Sequence, residues 1–275
     1  MLSRIVACAC TTALLAGGSA ARVDPTGVRA KETVRAIAVV GPRVAGSVNE
    51  LRAGRVVRSR FARLGLKPVV QRVLLPRGGF SRNLVFRTGG SLRAIVVAHL
   101  DGVSAGPAAN DNGSGIGALV EVARGLGATP GILYAALGAE EQVMTGSNLH
   151  LGSARLLRSL APAERRSVRV ALSLDMVGNG PELNVRGIEV RRPNRSARAA
   201  LAAARAIGVH ATYLPDRGLS DHEELTRGGV PAAWIEWRWD PCWHSACDRV
   251  GRLDTAKLSA AIRLTVRAVR TATAA

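Results

Sequence analysis

The sequence predicts an α/β fold in which a largely parallel sheet is packed between helices. Three observations carry that expectation. Short, mainly apolar runs at 94–98, 132–137 and 168–174 have the length and composition of strands buried on both faces. Between them lie stretches with apolar residues every three or four positions, so strands and helices alternate along the chain. Each run also ends in a residue able to bind a ligand, and open α/β sheets build their sites at the carboxyl ends of strands.

Taken in order, the elements support this reading. Ser47-Val48-Asn49-Glu50 has the form of a capping box, a hydroxyl followed three residues later by a carboxylate. Ala53, Val57, Phe61 and Leu64 follow at helical spacing until Gly65 and Pro68 stop the helix. Strands are expected at 69–75 and 83–86, with the turn Arg77-Gly78-Gly79 between them. The central strand 94–98 leads to His99 and Asp101, then to Asp111 and the turn Asn112-Gly113-Ser114-Gly115. Ile116, Leu119, Val120 and Ala123 mark a helix lying on the sheet. Strand 132–137 ends at Glu140 and Glu141. A helix is expected over 147–160, and strand 168–174 ends at Asp175. An Ala-rich helix over 196–207 is closed by Gly208. Strand 231–237 precedes Cys242-Trp243-His244, and a final helix covers about 254–269. No repeat, long linker or composition break interrupts the pattern, so residues 22–275 read as one domain.

Residues 1–21 read as a secretory signal. Arg4 is the charged start, 5–16 a short, largely apolar core, and Gly18 to Ala21 a small-residue cleavage region. The apolar stretch is too short to span a membrane. Cys8, Cys10 and two adjacent threonines make it a poor amphipathic helix, and only seven residues precede Cys8 as a lipidation site. The chain is therefore expected to be secreted or extracytoplasmic. Removal of the signal leaves Cys242 and Cys247, a disulfide candidate in an exported chain.

The net charge is +18, and lysine occurs only at Lys31, Lys67 and Lys257 among 38 basic residues. High Arg and Ala with scarce Lys is what a GC-rich genome produces. The alternative is weak adhesion to an anionic cell surface. Aromatic residues make up only 3% and the arginines are scattered, which argues against a specific nucleic-acid groove.

Chemistry is concentrated at the ends of the buried runs: His99, then Glu140 and Glu141, then Asp175, then His244, with Asp111 on the loop after the first. Singly, each has an ordinary reading as a core histidine, a solvated glutamate pair or a turn cap. Together they sit where unpaired buried charge would be costly. Imidazoles and carboxylates without a thiolate cage suit zinc, with manganese or cobalt as substitutes. Five ligands exceed the needs of one open catalytic ion and suit two ions sharing one carboxylate.

HLDGVSAGPAANDNGSG, GAEEQVMTGS, LSLDMVG, LSDH and CWHSACD occur in an order and spacing that resemble the dizinc exopeptidases of metallopeptidase family 28. The chain is most similar to the secreted Streptomyces-type bacterial aminopeptidases, and GPRVAGS at 41–47 extends the likeness over most of the mature chain. The resemblance implies a three-layer, zinc-exopeptidase-like fold with a mixed sheet. It also implies that His99 and Asp175 bind one zinc, Glu141 and His244 the other, and that Asp111 bridges the two. Glu140 would be the general base for a water held by both ions, and Asp101 would orient the His99 imidazole. A cis bond between Asp111 and Asn112 and a Cys242–Cys247 disulfide are implied as well.

The activity implied is hydrolysis of the N-terminal bond of peptides with a free amine, whose α-ammonium Glu140 and Asp175 are candidates to hold. The protein is expected to be a monomer. Two departures stand out. Trp243 occupies the place where the family usually has an oxyanion-stabilising Tyr. Leu219 replaces the usual Arg before SDH, leaving Arg217 as a substrate-binding candidate. Competing readings are another amide chemistry on this scaffold, carboxypeptidase-like or glutaminyl cyclisation, and a non-catalytic basic surface-binding protein.

Overall fold

A computed structural model describes residues 24–188 and 192–274. The expected signal, with Cys8 and Cys10, lies outside the described residues. Eight strands form one mixed sheet: β1 (Val69–Leu74), β2 (Phe80–Arg87), β3 (Ala94–His99), β4 (Ile132–Leu137), β5 (Val170–Leu174), β6 (Glu182–Ile188), β7 (Thr212–Asp216) and β8 (Ala232–Arg238). Their spatial order is β1-β2-β4-β3-β5-β8-β6-β7. The four central strands β4, β3, β5 and β8 run parallel. Antiparallel pairs join β2 to β4 on one side and β6 to β8 on the other. The sheet is thus mixed, and its parallel centre brings the carboxyl ends of the four apolar runs to one edge.

Strand side chains alternate between two cores, as the pleat requires. Ala94, Val96 and Ala98 face a core built with α1 (Pro25–Ala38), α2 (Val48–Ala62), α3 (Gly115–Leu126), α7 (Arg195–Ala206) and α9 (Thr255–Ala274). Ile95 and Val97 face the opposite core, where α5 (Leu151–Ser159) supplies Leu156 and α8 (His222–Arg227) supplies Leu225. Two short helices complete the set, α4 (Gln142–Thr145) and α6 (Pro162–Ser167). Phe61 of α2 stacks on Phe86 of β2 at a centroid distance of 3.8 Å, which fixes α2 against the sheet.

Three local expectations change. The helix expected over 147–160 begins only at Leu151, because Gly146 turns the chain with φ +69° after the separate short helix α4. The capping box is half formed. Ser47 accepts from the Glu50 amide at 3.1 Å, but the Glu50 carboxylate passes over Ser47 and accepts from the Gly46 amide at 2.7 Å. Its other oxygen is taken by the Ser81 hydroxyl, a cross-link from α2 to β2. Finally, β6, β7, α1 and α8 are elements that the apolar patterning did not reveal.

Candidate metal centre

His99 is the last residue of β3, and Asp175 directly follows β5. Glu140 and Glu141 lie just past β4, and His244 lies on the loop after β8. Asp111 sits in the irregular turn Ala109–Ser114, where Asp111-Asn112 is a cis peptide. Among the described residues, the non-glycine residues with positive φ are Ala108, Ala139, Met176, Trp239 and His244, and all lie on the loops that carry these groups. Backbone conformations of this cost persist where the surroundings over-determine them, commonly at sites.

The geometry divides into two trios that share Asp111. His99 Nε2 lies 3.2 Å from Asp111 Oδ1 and 3.4 Å from Asp175 Oδ1. His244 Nε2 lies 3.3 Å from Asp111 Oδ2 and 2.9 Å from Glu141 Oε2. Each oxygen of Asp111 therefore faces a different imidazole, and each imidazole has one further carboxylate of its own. Glu140 stands beside the first trio, with Oε2 3.9 Å from His99 Nε2.

These donors fit divalent cations. His99, Asp111 and Glu141 converge closely enough to share an ion, as do His99, Glu140 and Asp175. Glu141 Oε1 is buried without a hydrogen-bond partner, a costly state that a cation would relieve. The electrostatics of the cluster reflect the same excess of acid. Burial and the neighbouring Asp111 charge push Glu141 up to about 8. Burial opposes a charge on His244, but its contacts with Asp111 and Glu141 raise it to about 10. A set of buried carboxylates that share protons with imidazoles can release those protons to bind metal.

Polar bonds fix the loop that carries Asp111. Asp248 accepts from the amides of Asn110 at 2.6 Å and Asp111 at 3.0 Å. Asn110 donates to Asp240 at 2.8 Å and accepts from the Gly178 amide at 2.9 Å. Arg43, fully buried, donates to the carbonyls of Leu100 at 2.8 Å, Ala108 at 2.9 Å and Pro107. The GPRVAGS segment thereby reaches the site through one guanidinium spanning three carbonyls of the β3–Asp111 loop. A disulfide joins Cys242 to Cys247 and closes the loop that carries His244.

Asp101 acts differently from the expectation. His99 Nδ1 lies 3.2 Å from the Asp101 main-chain oxygen, whereas the carboxylate is 3.8 Å away. The carboxylate instead accepts from the amides of Glu140 at 3.1 Å and Glu141 at 3.2 Å. It thus pins the turn that carries both glutamates, while its backbone orients the imidazole.

The cluster floors a cavity of about 380 Å³. Val143, Leu219, Trp239 and Trp243 are exposed apolar residues on its walls. Trp243 stacks on His244 with ring centroids 4.2 Å apart. Arg217 is exposed and does not line the cavity, although Leu219 two residues on does; the lining arginines are Arg186 and Arg238. Arg186 is held by Glu236 at 3.1 Å and stacks on Trp234 at 4.4 Å. Sequence reasoning also missed His150. This buried imidazole of the cavity wall places Nδ1 3.1 Å from Glu140 Oε1 and Nε2 3.3 Å from Glu223 Oε2.

The fold and the cluster define a class, an α/β domain whose parallel strand ends present a cluster of imidazoles and carboxylates able to hold a metal ion, as in metal-dependent hydrolases. The sequence profile of peptidase family M28 matches residues 83–269, and the chain belongs to that family. Over 187 residues it is 32% identical to Aminopeptidase YwaD of Bacillus subtilis, a match covering 63% of this chain and 40% of the relative, so the chain spans less than half of that protein. A solved structure of BSAP, a zinc aminopeptidase from Bacillus subtilis, superposes with a TM-score of 0.82 at 19% identity, covering 91% of this chain and 96% of that one. The glutaminyl cyclase of Bacteroides thetaiotaomicron bound to N-acetylhistamine superposes with a TM-score of 0.75 at 21% identity, covering 88% and 97%. At these identities the structural likenesses establish the fold.

Proposed function

We propose that the protein is an exported, monomeric zinc aminopeptidase that uses two ions. The observation that carries this reading is the division of Asp111, one oxygen toward His99 and the other toward His244, each imidazole having a separate terminal carboxylate. His99, Asp111 and Asp175 would hold one ion; His244, Asp111 and Glu141 the other. Zinc bound there supplies Lewis acidity, which lowers the pKa of a water and polarises a carbonyl.

The protein's own groups account for the remaining work. Glu140 Oε1 is engaged by His150, which leaves Oε2 on the cluster side as the atom that accepts the water's proton and passes it to the leaving amine. Asp175 and Glu140 border the place where a free α-ammonium balances charge, which favours chain ends over internal bonds. Trp243 stands at the cavity wall as an N–H donor for the developing oxyanion, in a position where a phenol would have a different reach. Residues 1–21 would direct export, and the Cys242–Cys247 bond suits an oxidising compartment. Among the described residues no helix is long and apolar enough to cross a membrane.

The test is a panel of free-amine, N-acetylated and N-terminal glutaminyl peptides, with zinc measured in the same protein. Release of N-terminal residues from free-amine peptides only, lost on chelation and restored by zinc, supports the reading. Loss of ammonia from glutaminyl peptides without hydrolysis would move the protein to cyclisation. No turnover by protein that carries zinc would sink the aminopeptidase reading.

A further inference from the structure

The catalytic cluster leaves the large positive charge unexplained. One part of that charge is organised. A second groove, of about 480 Å³, lies where α1, α3 and α9 meet the end of α7. Its rim carries Arg29, Arg124, Arg263, Arg267 and Arg270, with Glu121 the one carboxylate among its lining residues. Glu121 is shared by Arg29 at 2.8 Å and Arg124 at 3.1 Å, so one acid serves two cations. Arg270 donates to the Gly125 carbonyl at 2.5 Å. Arg263 feels the Asp24 carboxylate at a distance, and Arg267 has no ion-pair or hydrogen-bond partner among the described residues. The floor is apolar, formed by Ile207, Ile262 and Val266.

The groove is remote from the metal centre. It takes in the end of α3, beyond which β4 begins, and the second half of α9. Arg93, directly before β3, donates to Thr273 near the end of α9 at 3.0 Å, which places this region at the amino-terminal edge of the central strands. The metal centre lies at their carboxyl-terminal edge.

We infer that this groove is a docking site for a linear polyphosphate chain that carries no bases. Guanidinium forks match phosphate oxygens in pairs, and the five arginines outnumber Glu121 and the nearby Asp24, which leaves a positive local field for an anion to satisfy. Arg263 and Arg270 are about 10 Å apart along α9 at the helical rise, so the row faces successive phosphates rather than one ion. Among the described residues no aromatic side chain lines the groove, so they offer no stacking platform of the kind single-stranded nucleic acid uses. Arg29 and Arg124, pinned by Glu121, add two guanidinium groups from α1 and α3 beside the α9 row. A molecule bound there leaves the cavity over the metal centre open at the other end of the sheet.

The experiment measures binding of linear sodium polyphosphate to the purified protein by titration calorimetry across a salt series. The R263E/R267E double variant is expected to lose affinity by about tenfold or more at ~0.1 M salt and to show a shallower salt dependence. The control, R52E/R63E on α2 and at its C-cap, makes the same charge change outside the groove and should move affinity less than about twofold. Thermal melting of both variants, with R263Q/R267Q as the milder pair, separates lost binding from lost folding. Equal losses in the two reversal pairs would reduce the effect to bulk charge and overturn the proposal. So would no polyphosphate binding by the unaltered protein. Tighter, R263/R267-dependent binding to phosphatidylglycerol vesicles or to duplex DNA would likewise overturn it, reassigning the groove to that partner.

Discussion

His150 Nδ1 lies 3.1 Å from Oε1 of Glu140, so the carboxylate read as the general base is held from behind by a buried imidazole. The contact continues outward, since His150 Nε2 faces Glu223 at 3.3 Å and Glu223 meets the exposed Arg227 at 2.7 Å. Burial works against a charged ring, but the Glu140 carboxylate overcomes it and pushes His150 up to about 10. The contact with Glu140 thus favours the charged ring.

Replacing His150 with Phe keeps an aromatic ring but removes both contacts. Peptide hydrolysis should fall roughly 10- to 100-fold while bound zinc is unchanged. The sign of the pH effect also follows. Removing a neighbouring cation raises the Glu140 pKa, so the acid limb of the kcat profile should move to higher pH. A His150→Phe variant with reduced rate but an unmoved acid limb would make this residue a packing element only.

Asp111 and Glu140 should fail in different ways, though both are buried carboxylates of one cavity. Asp111→Asn keeps the volume but replaces one acceptor oxygen by a donor, so one imidazole loses its shared partner. Zinc per chain should drop, and activity should fall by roughly 100-fold or more with it. Glu140→Gln should retain its zinc and lose about 10²- to 10⁴-fold in kcat. Parallel zinc analysis and kinetics decide the matter, and loss of metal from Glu140→Gln would move that residue into the ligand set.

The fully buried Arg43 guanidinium bridges three carbonyls. Arg43→Met should lower stability by about 3 kcal/mol, because buried acceptors lose their donor. Arg43→Lys should not rescue it, since one ammonium cannot reproduce the fork across Leu100, Pro107 and Ala108. Denaturant titration would measure both, and full stability in the Lys variant would show that charge alone suffices at this position.

How much of this was legible in the sequence depends on where each residue's partners lie. His99, Glu140, Glu141, Asp175 and His244 could be read because each follows an apolar run, and parallel strands bring such ends together. Asp248 could not, since its partner Asn110 is 138 positions away and no local pattern marks either. His150 is an isolated imidazole between helices, ordinary until Glu140 and Glu223 are placed on either side. Strand β6 escaped because Asn184 and Arg186 interrupt its apolar character, and Arg186 tolerates burial only through Glu236 and Asp216 on the adjoining strands. Strand β7 closes the sheet at an edge, where Pro215 and exposed Thr212 read as a loop. The capping box was found, but the long reach of Glu50 toward Ser81 was not, because it crosses from a helix to the sheet.

That reach has a consequence for stability. Burial pushes the Glu50 carboxyl up to about 8, and the Asp101 charge adds to it, against contacts from Ser81 and Gly46 that favour the anion. The unfolded chain titrates near the ordinary 4.5. Between these values the folded protein keeps a proton that the unfolded chain has released. The stabilisation is therefore fully present below about 4.5 and is lost as pH rises to about 8, with a slope near 1.4 kcal/mol per pH unit. Glu50→Gln imitates the protonated acid, since its carbonyl can accept from Gly46 while its amide donates to the Ser81 hydroxyl. The variant should match the parent near pH 5 and exceed it near pH 8. Other buried acids, Glu236 and Asp221 among them, titrate in the same window, so the quantity to compare is the difference between the two proteins. Denaturant unfolding of both, metal-free, at several pH values provides it. Identical pH slopes would mean that Glu50 is ionised in the folded state, with its charge carried by the Gly46 amide and the Ser81 hydroxyl.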